Sequence, residues 1–189
     1  MIKTIFLLFL EILPLIIFFI LGQYLPFLEA VWGYIFTTIL TIIIIWHLQK
    51  RLSYLALIFG SIIIISGSLS IWLSNPSILQ TADTLYYLFG SLLMFALSLA
   101  HINVLRVLFN KTFSITDKGW HILNQRWMVA LAVAGLSNEL IRHLGTTDDW
   151  LWFQLLRTVA IVLFATYQFT LTKRHRLPSS TAWGVALTK

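Results

Sequence analysis

Apolar runs long enough to cross a bilayer recur from one end of this chain to the other, and they leave few folds open to it. A helix needs about 20 mostly apolar residues to span the hydrocarbon. Six segments qualify: residues 4–25, 30–46, 54–73, 84–105, 127–144 and 151–172. Hydrophobic residues make up 59% of the 189 and charged residues 11%. A soluble domain carries roughly 25% charged residues, so a soluble core of this size could not cover the apolar surface. The expected fold is all-α, a polytopic transmembrane helix bundle of about six spans, or five if the N-terminal segment does not cross.

That first segment holds Glu11 and Pro14. It is expected to remain as an uncleaved helix, because the run continues Gly22-Gln23-Tyr24-Leu25-Pro26 with no small-residue cleavage site. The basic residues then orient the chain. Lys3, Lys50, Arg51, Arg106, Lys111, Lys118, Arg126, Lys173, Arg174, Arg176 and Lys189 fall on one side of the six-span layout, leaving only Arg142 and Arg157 of the 13 Lys and Arg residues. By the positive-inside rule that side is the cytoplasm, and both termini lie there. The opposite loops are expected to hold Glu29, Asp83, Asp148 and Asp149. Residues 1–178 thus read as a single transmembrane helical domain, and 179–189 as a short, poorly ordered cytoplasmic tail. Trp32, Trp46, Trp72, Trp127, Trp150 and Trp152 fall near span ends, where an indole keeps its ring in the interface and its N–H in water. The net charge of +6 is accounted for by this topology. The basic residues form no stripe with interleaved aromatics, so a nucleic-acid partner is rejected.

Polar residues inside the apolar runs are the candidates for function. A charge in hydrocarbon costs several kcal/mol by insertion scales, about 2.5–3.5 at a helix centre, and persists where it faces a bundle interior with a partner. In the fifth span Ala132, Gly135 and Glu139 share a face, and Ala130, Ala134 and Asn138 form the adjoining stripe. In the sixth, Gln154, Arg157, Ile161, Phe164 and Gln168 line one face. Counted from the expected span ends at about 1.5 Å per residue, Glu139 and Arg157 both lie roughly 8–9 Å deep. They are expected to pair across two antiparallel neighbours. A structural ion pair, a substrate or proton pathway and a snorkelling arginine remain open readings. Glu11, one turn before Pro14, either faces the bundle or lies in the interface.

The five histidines do not cluster, and Asp148-Asp149 reads as a solvated turn, so no metal is expected. No phosphate loop, nucleophile elbow or acid/base carboxylate pair is found. The chain has no cysteine. No catalytic residue, no cofactor and no enzymatic activity are expected.

Three stretches carry a family likeness: Glu11-Ile12-Leu13-Pro14 running into Phe18-Phe19, Gly119-Trp120-His121-Ile122-Leu123 leading to Arg126-Trp127, and Asn138-Glu139 followed by Trp150-Leu151-Trp152-Phe153-Gln154. With the closing Arg174-His175-Arg176-Leu177-Pro178, their order and spacing resemble the intracellular septation protein A family, also called the inner-membrane-spanning YciB family. Two departures mark a divergent member. Gln154 stands where that family carries an intramembrane Lys, and residues 78–84 lack its usual lysines and proline.

The resemblance implies a bacterial inner-membrane protein with a part in cell-envelope integrity and septation. It also implies contacts with elongation and division proteins, and no known catalysis. Membrane lipids are the other expected partner, and homo-oligomerisation stays open. The competing reading is a small transporter or lipid-handling carrier with a polar site between spans five and six. Reporter fusions test the topology. Fusions after Lys50, Lys111 and Lys173 should read cytoplasmic, and one after Asp83 or Asp149 external. An external N-terminus with the other loops unchanged would reduce the spans to five.

Overall fold

The computed structural model describes residues 2–50, 54–178 and 180–186. Arg51 and Lys189 of the basic set, and Ser179 of the tail, lie outside them. Among the described residues the chain is helical almost throughout: α1 (Ile2–Tyr24), α2 (Phe27–Gln49), α3 (Tyr54–Trp72), α4 (Ser77–Leu99), α5 (Val104–Phe109), α6 (Asp117–Leu144) and α7 (Thr147–Arg174). Phe27–Leu48, Ser77–Leu99 and Thr147–Arg174 are long and apolar enough to cross a membrane. Leu10–Tyr24 and Leu57–Trp72 are shorter apolar helical segments. The fold is all-α and of the membrane-bundle class.

Local chemistry sets the boundaries, and it moves several of them from the expected places. Pro26 is extended (φ −52°, ψ 143°) and separates α1 from α2, as a residue without an N–H would. Helix α4 starts at Ser77, well before the expected residue 84. Asn75 Oδ1 accepts the Ser77 N–H at 3.0 Å, and Pro76 fits a first-turn position whose N–H has no helical partner. Asp83 consequently sits inside α4 and not in a loop. The same helix stops at Leu99. His101 takes a left-handed φ of 59°, and its N–H reaches Ser98 O while that of Ile102 reaches Leu97 O, a Schellman closure. The expected run of this span to residue 105 is therefore broken. The short α5 begins afresh, capped by Asn103 Oδ1 on the Arg106 N–H at 2.9 Å.

Helices α6 and α7 are both longer at their starts than expected. In the turn between them Thr146 Oγ1 accepts the Asp149 N–H at 3.2 Å, and Asp149 Oδ2 accepts the Thr146 N–H at 2.8 Å. This reciprocal cap places Asp149 in the first turn of α7.

Two compact units can be distinguished, Met1–Asp83 with Asn138–Leu155, and Thr84–Ser137 with Leu156–Lys189. In the first, Phe18, Ala30, Val31, Ile35, Leu79, Trp150 and Leu151 form a buried core. Phe18 stacks on Tyr34 with centroids 4.6 Å apart and meets Phe27 edge-on at 5.6 Å. Small residues bring backbones close: a Cβ on Gly67 would lie 3.1 Å from both Val31 and Ile35. The other side of α2 is apolar too, with Trp32, Phe36, Ile39, Leu40 and Ile43 exposed. A helix apolar all round is what a lipid surround permits.

The second unit is centred on Ile115, Trp120, Leu123 and Leu171. Trp120, which the sequence left unassigned, is buried there. Residues 180–186 pack against it, where a poorly ordered tail was expected. Ser114 N–H donates to Gly184 O and Ala186 N–H to Thr112 O, both at 2.8 Å. Thr172 Oγ1 donates to Trp183 O at 2.8 Å, and Lys173 Nζ lies 5.1 Å from the Trp183 ring centre. Gly184 has φ +75°, and a Cβ there would fall 2.8 Å from Thr172 O, so only glycine fits.

Within this unit α4 and α6 approach at Gly135, where a Cβ would lie 2.8 Å from Leu88 Cγ and 3.2 Å from its backbone nitrogen. Nearby, Ser91 Oγ donates to Met128 O at 2.8 Å. Gly135→Ala should destabilise the protein by about 1–3 kcal/mol through overpacking. Gly90→Ala should be neutral or stabilising, because its Cβ would meet only Leu131 at an ordinary 3.5 Å. Denaturant titration of both variants in detergent checks this, and equal effects would refute the close-contact reading.

Candidate functional site: buried polar groups within the helices

Starting α4 at Ser77 puts Gln80, Thr84, Tyr87, Ser91 and Met94 on one helical face. Four of these, Gln80, Thr84, Ser91 and Met94, are buried. A polar stripe inside an apolar helix needs partners from its neighbours.

In the first unit those partners come from the end of α6 and the start of α7. Asn138 is fully buried. Its Nδ2 donates to Gln80 O at 3.0 Å, and its Oδ1 accepts the Trp150 indole N–H at 2.9 Å. One turn along α4 from Gln80, Asp83 Oδ2 accepts from Gln154 Nε2 at 2.7 Å. Trp150 is thus no interfacial tryptophan. It is 2% exposed, with its ring edge-on to Phe27 at 5.8 Å and its N–H held by protein. Among the expected site residues, Asn138 and Gln154 are brought to successive turns of α4.

Glu139 has partners on its own helix. Arg142 Nε donates to Glu139 Oε2 at 3.0 Å, and a second guanidinium nitrogen reaches Oε1. His143 Nε2 lies 2.8 Å from Oε1. These are i,i+3 and i,i+4 contacts, the spacing at which helical side chains meet. Arg142 was one of two cations outside the topological bias, and its position one turn from Glu139 was the signal.

In the second unit Arg157 is buried with its guanidinium 4.4 Å from the Tyr87 ring centre, a cation–π contact. Further along α7, Gln168 Oε1 accepts from Arg126 at 3.2 Å. Asn124 Nδ2 donates to Ser98 Oγ at 3.1 Å. Measured from the helix ends, Arg157 lies ten residues beyond Thr147, roughly 15 Å, and Glu139 five residues before Leu144, roughly 8 Å. The pairing of Glu139 with Arg157 stands as a proposal. Glu11 is exposed and lines a cleft among α1, α2 and α3.

The arrangement is chemically conservative. In the first unit two amides, an indole and a carboxylate bond one another or the backbone. Apolar helices that keep such polar groups bonded inside define a polytopic α-helical membrane protein. More particularly, the chain belongs to the intracellular septation protein A family, whose profile matches residues 6–179. It is 31% identical over 183 residues to the inner membrane-spanning protein YciB of Agrobacterium fabrum, covering 88% of this chain and 89% of the relative. It is 28% identical over 173 residues to the protein of the same name from Bradyrhizobium sp. strain BTAi1, covering 90% and 86%. The Rhizobium meliloti protein of that name is 29% identical over 190 residues, covering 92% and 90%. No solved structure matches the chain.

Asn138→Ala should leave the Trp150 N–H and the Gln80 carbonyl without their partner. An unsatisfied buried group costs about 1–3 kcal/mol in soluble proteins, and membrane couplings average nearer 0.6 kcal/mol. A loss of about 1–2 kcal/mol is expected in denaturant titration. Trp150→Phe should cost less when added to Asn138→Ala than on its own. Strict additivity would mean that the hydrogen bond contributes nothing.

Proposed function

We propose that this protein is a non-enzymatic inner-membrane component that supports cell-envelope integrity and septation, acting as a scaffold for elongation and division proteins. The observation that carries the reading is membership of the septation protein A family across residues 6–179, with relatives named as inner membrane-spanning proteins. The orientation proposed with it has six spans and both termini in the cytoplasm, from the bias of the basic residues. Buried polar groups that bond one another, as Asn138 does with Trp150 and Gln80, favour a structural role over a carrier's binding site. A transporter or lipid carrier working between α6 and α7 is the alternative.

Deleting the gene separates the two. A scaffold predicts altered cell length or shape, or sensitivity to osmotic or detergent stress, and in-cell crosslinking should capture division proteins. Normal morphology together with failure to take up one defined solute would establish the carrier instead.

A further inference from the structure

The first unit contains a cleft of about 250 Å³ that the buried polar network does not use. Its walls come from α1, α2 and α3 and are mainly apolar, with Pro14 and Ile63 among them. Four lining residues carry polar side chains: Glu11, Tyr34, Thr38 and Thr41. No Lys, Arg or His is among the described lining residues.

Glu11 lies nine residues from Ile2 and thirteen from Tyr24, roughly 14 Å and 20 Å along α1. If α1 spans, its carboxyl sits well inside the hydrocarbon, where a charge needs a counter-ion. The helix leaves this side chain exposed to the cleft rather than packing it away. Gly60 lets α3 pack closely on α2 at this wall, where an added Cβ would lie 2.5 Å from Ile42 Cδ1. The volume falls just under the range of about 300–1,000 Å³ typical of drug-sized ligands. The two chains of a phospholipid would overfill it.

We propose that this cleft binds a small single-chain amphipathic amine. Its ammonium would pair with the Glu11 carboxylate, and its tail would lie along Pro14 and Ile63. An ammonium has three donors, and Thr41 lines the same space as Glu11. Thr38 gives its own hydroxyl to Tyr34 O at 2.7 Å and serves as wall. This inference is independent of the septation reading.

The test is saturation binding of radiolabelled octylamine to the purified full-length protein in phosphatidylcholine nanodiscs. One saturable site is expected. Glu11→Gln should weaken it about tenfold or more, as loss of a charge-assisted contact does, and Glu11→Asp should retain part of it. Octanol, equal in length but uncharged, should not compete. Ile63→Phe, which narrows the cleft and leaves the carboxyl in place, should also weaken binding, with intrinsic tryptophan fluorescence confirming that each variant is folded. Equal uptake by wild type, Glu11→Gln and empty nanodiscs would overturn the proposal, as would equal competition by octanol. Loss of the site in discs rich in phosphatidylethanolamine would assign the cleft to a lipid headgroup and overturn it as well.

Discussion

A polar group inside hydrocarbon has no water to bond, so whatever it bonds must be supplied by the protein. That constraint explains why Asn138 can be completely buried without being costly. Its amide has one donor end and one acceptor end in use, on the Gln80 carbonyl and the Trp150 indole. The backbone of α4, the end of α6 and the first turn of α7 are tied through one side chain. Gln154 and Asp83 repeat the arrangement a turn further on. Apolar packing alone would leave these helices free to slide against one another, since lipid tails are as apolar as leucine. Directional bonds fix their register.

Glycine supplies the complementary constraint. Gly67 lets α2 and α3 meet in the first unit, and Gly135 lets α4 and α6 meet in the second. Close backbones put short polar side chains within reach, as Ser91 on Met128 O shows. In a bundle with little hydrophobic force between helices, small residues and internal hydrogen bonds work as one device.

Much of this was legible in the sequence. Apolar length gave the fold class; of the expected face of α7, Gln154, Arg157 and Gln168 are buried, and Ile161 and Phe164 are half-buried. The errors arose where local signals competed with hydropathy. Residues 75–83 are only moderately apolar, and the Asn75-Pro76 start signal was passed over, which moved Asp83 into a loop. His101 ends α4 by its left-handed conformation, which an apolar run up to Phe109 conceals. Trp150 looked interfacial because tryptophans usually are; only the buried partner Asn138 distinguishes it, and that contact is tertiary. Arg142 was legible by i,i+3 spacing but overshadowed by the more conspicuous Arg157. The cleft at Glu11 was not legible, because it depends on how α1, α2 and α3 pack. The order of residues 180–186 was hidden because Gly184 and Ala186 bond the backbone of Ser114 and Thr112, about 70 positions away.

That last feature bears on how mutant alleles of this protein are read. Residues 184–186 are the hydrogen-bonding complement of the segment that leads into α6, holding Ser114 through Gly184 and Thr112 through Ala186. A truncation just after α7 therefore removes more than a dispensable end. It unmoors the entry to α6, beside the buried Trp120. A nonsense allele there and a missense allele near Ile115 should resemble each other, although the two lesions lie far apart on the gene.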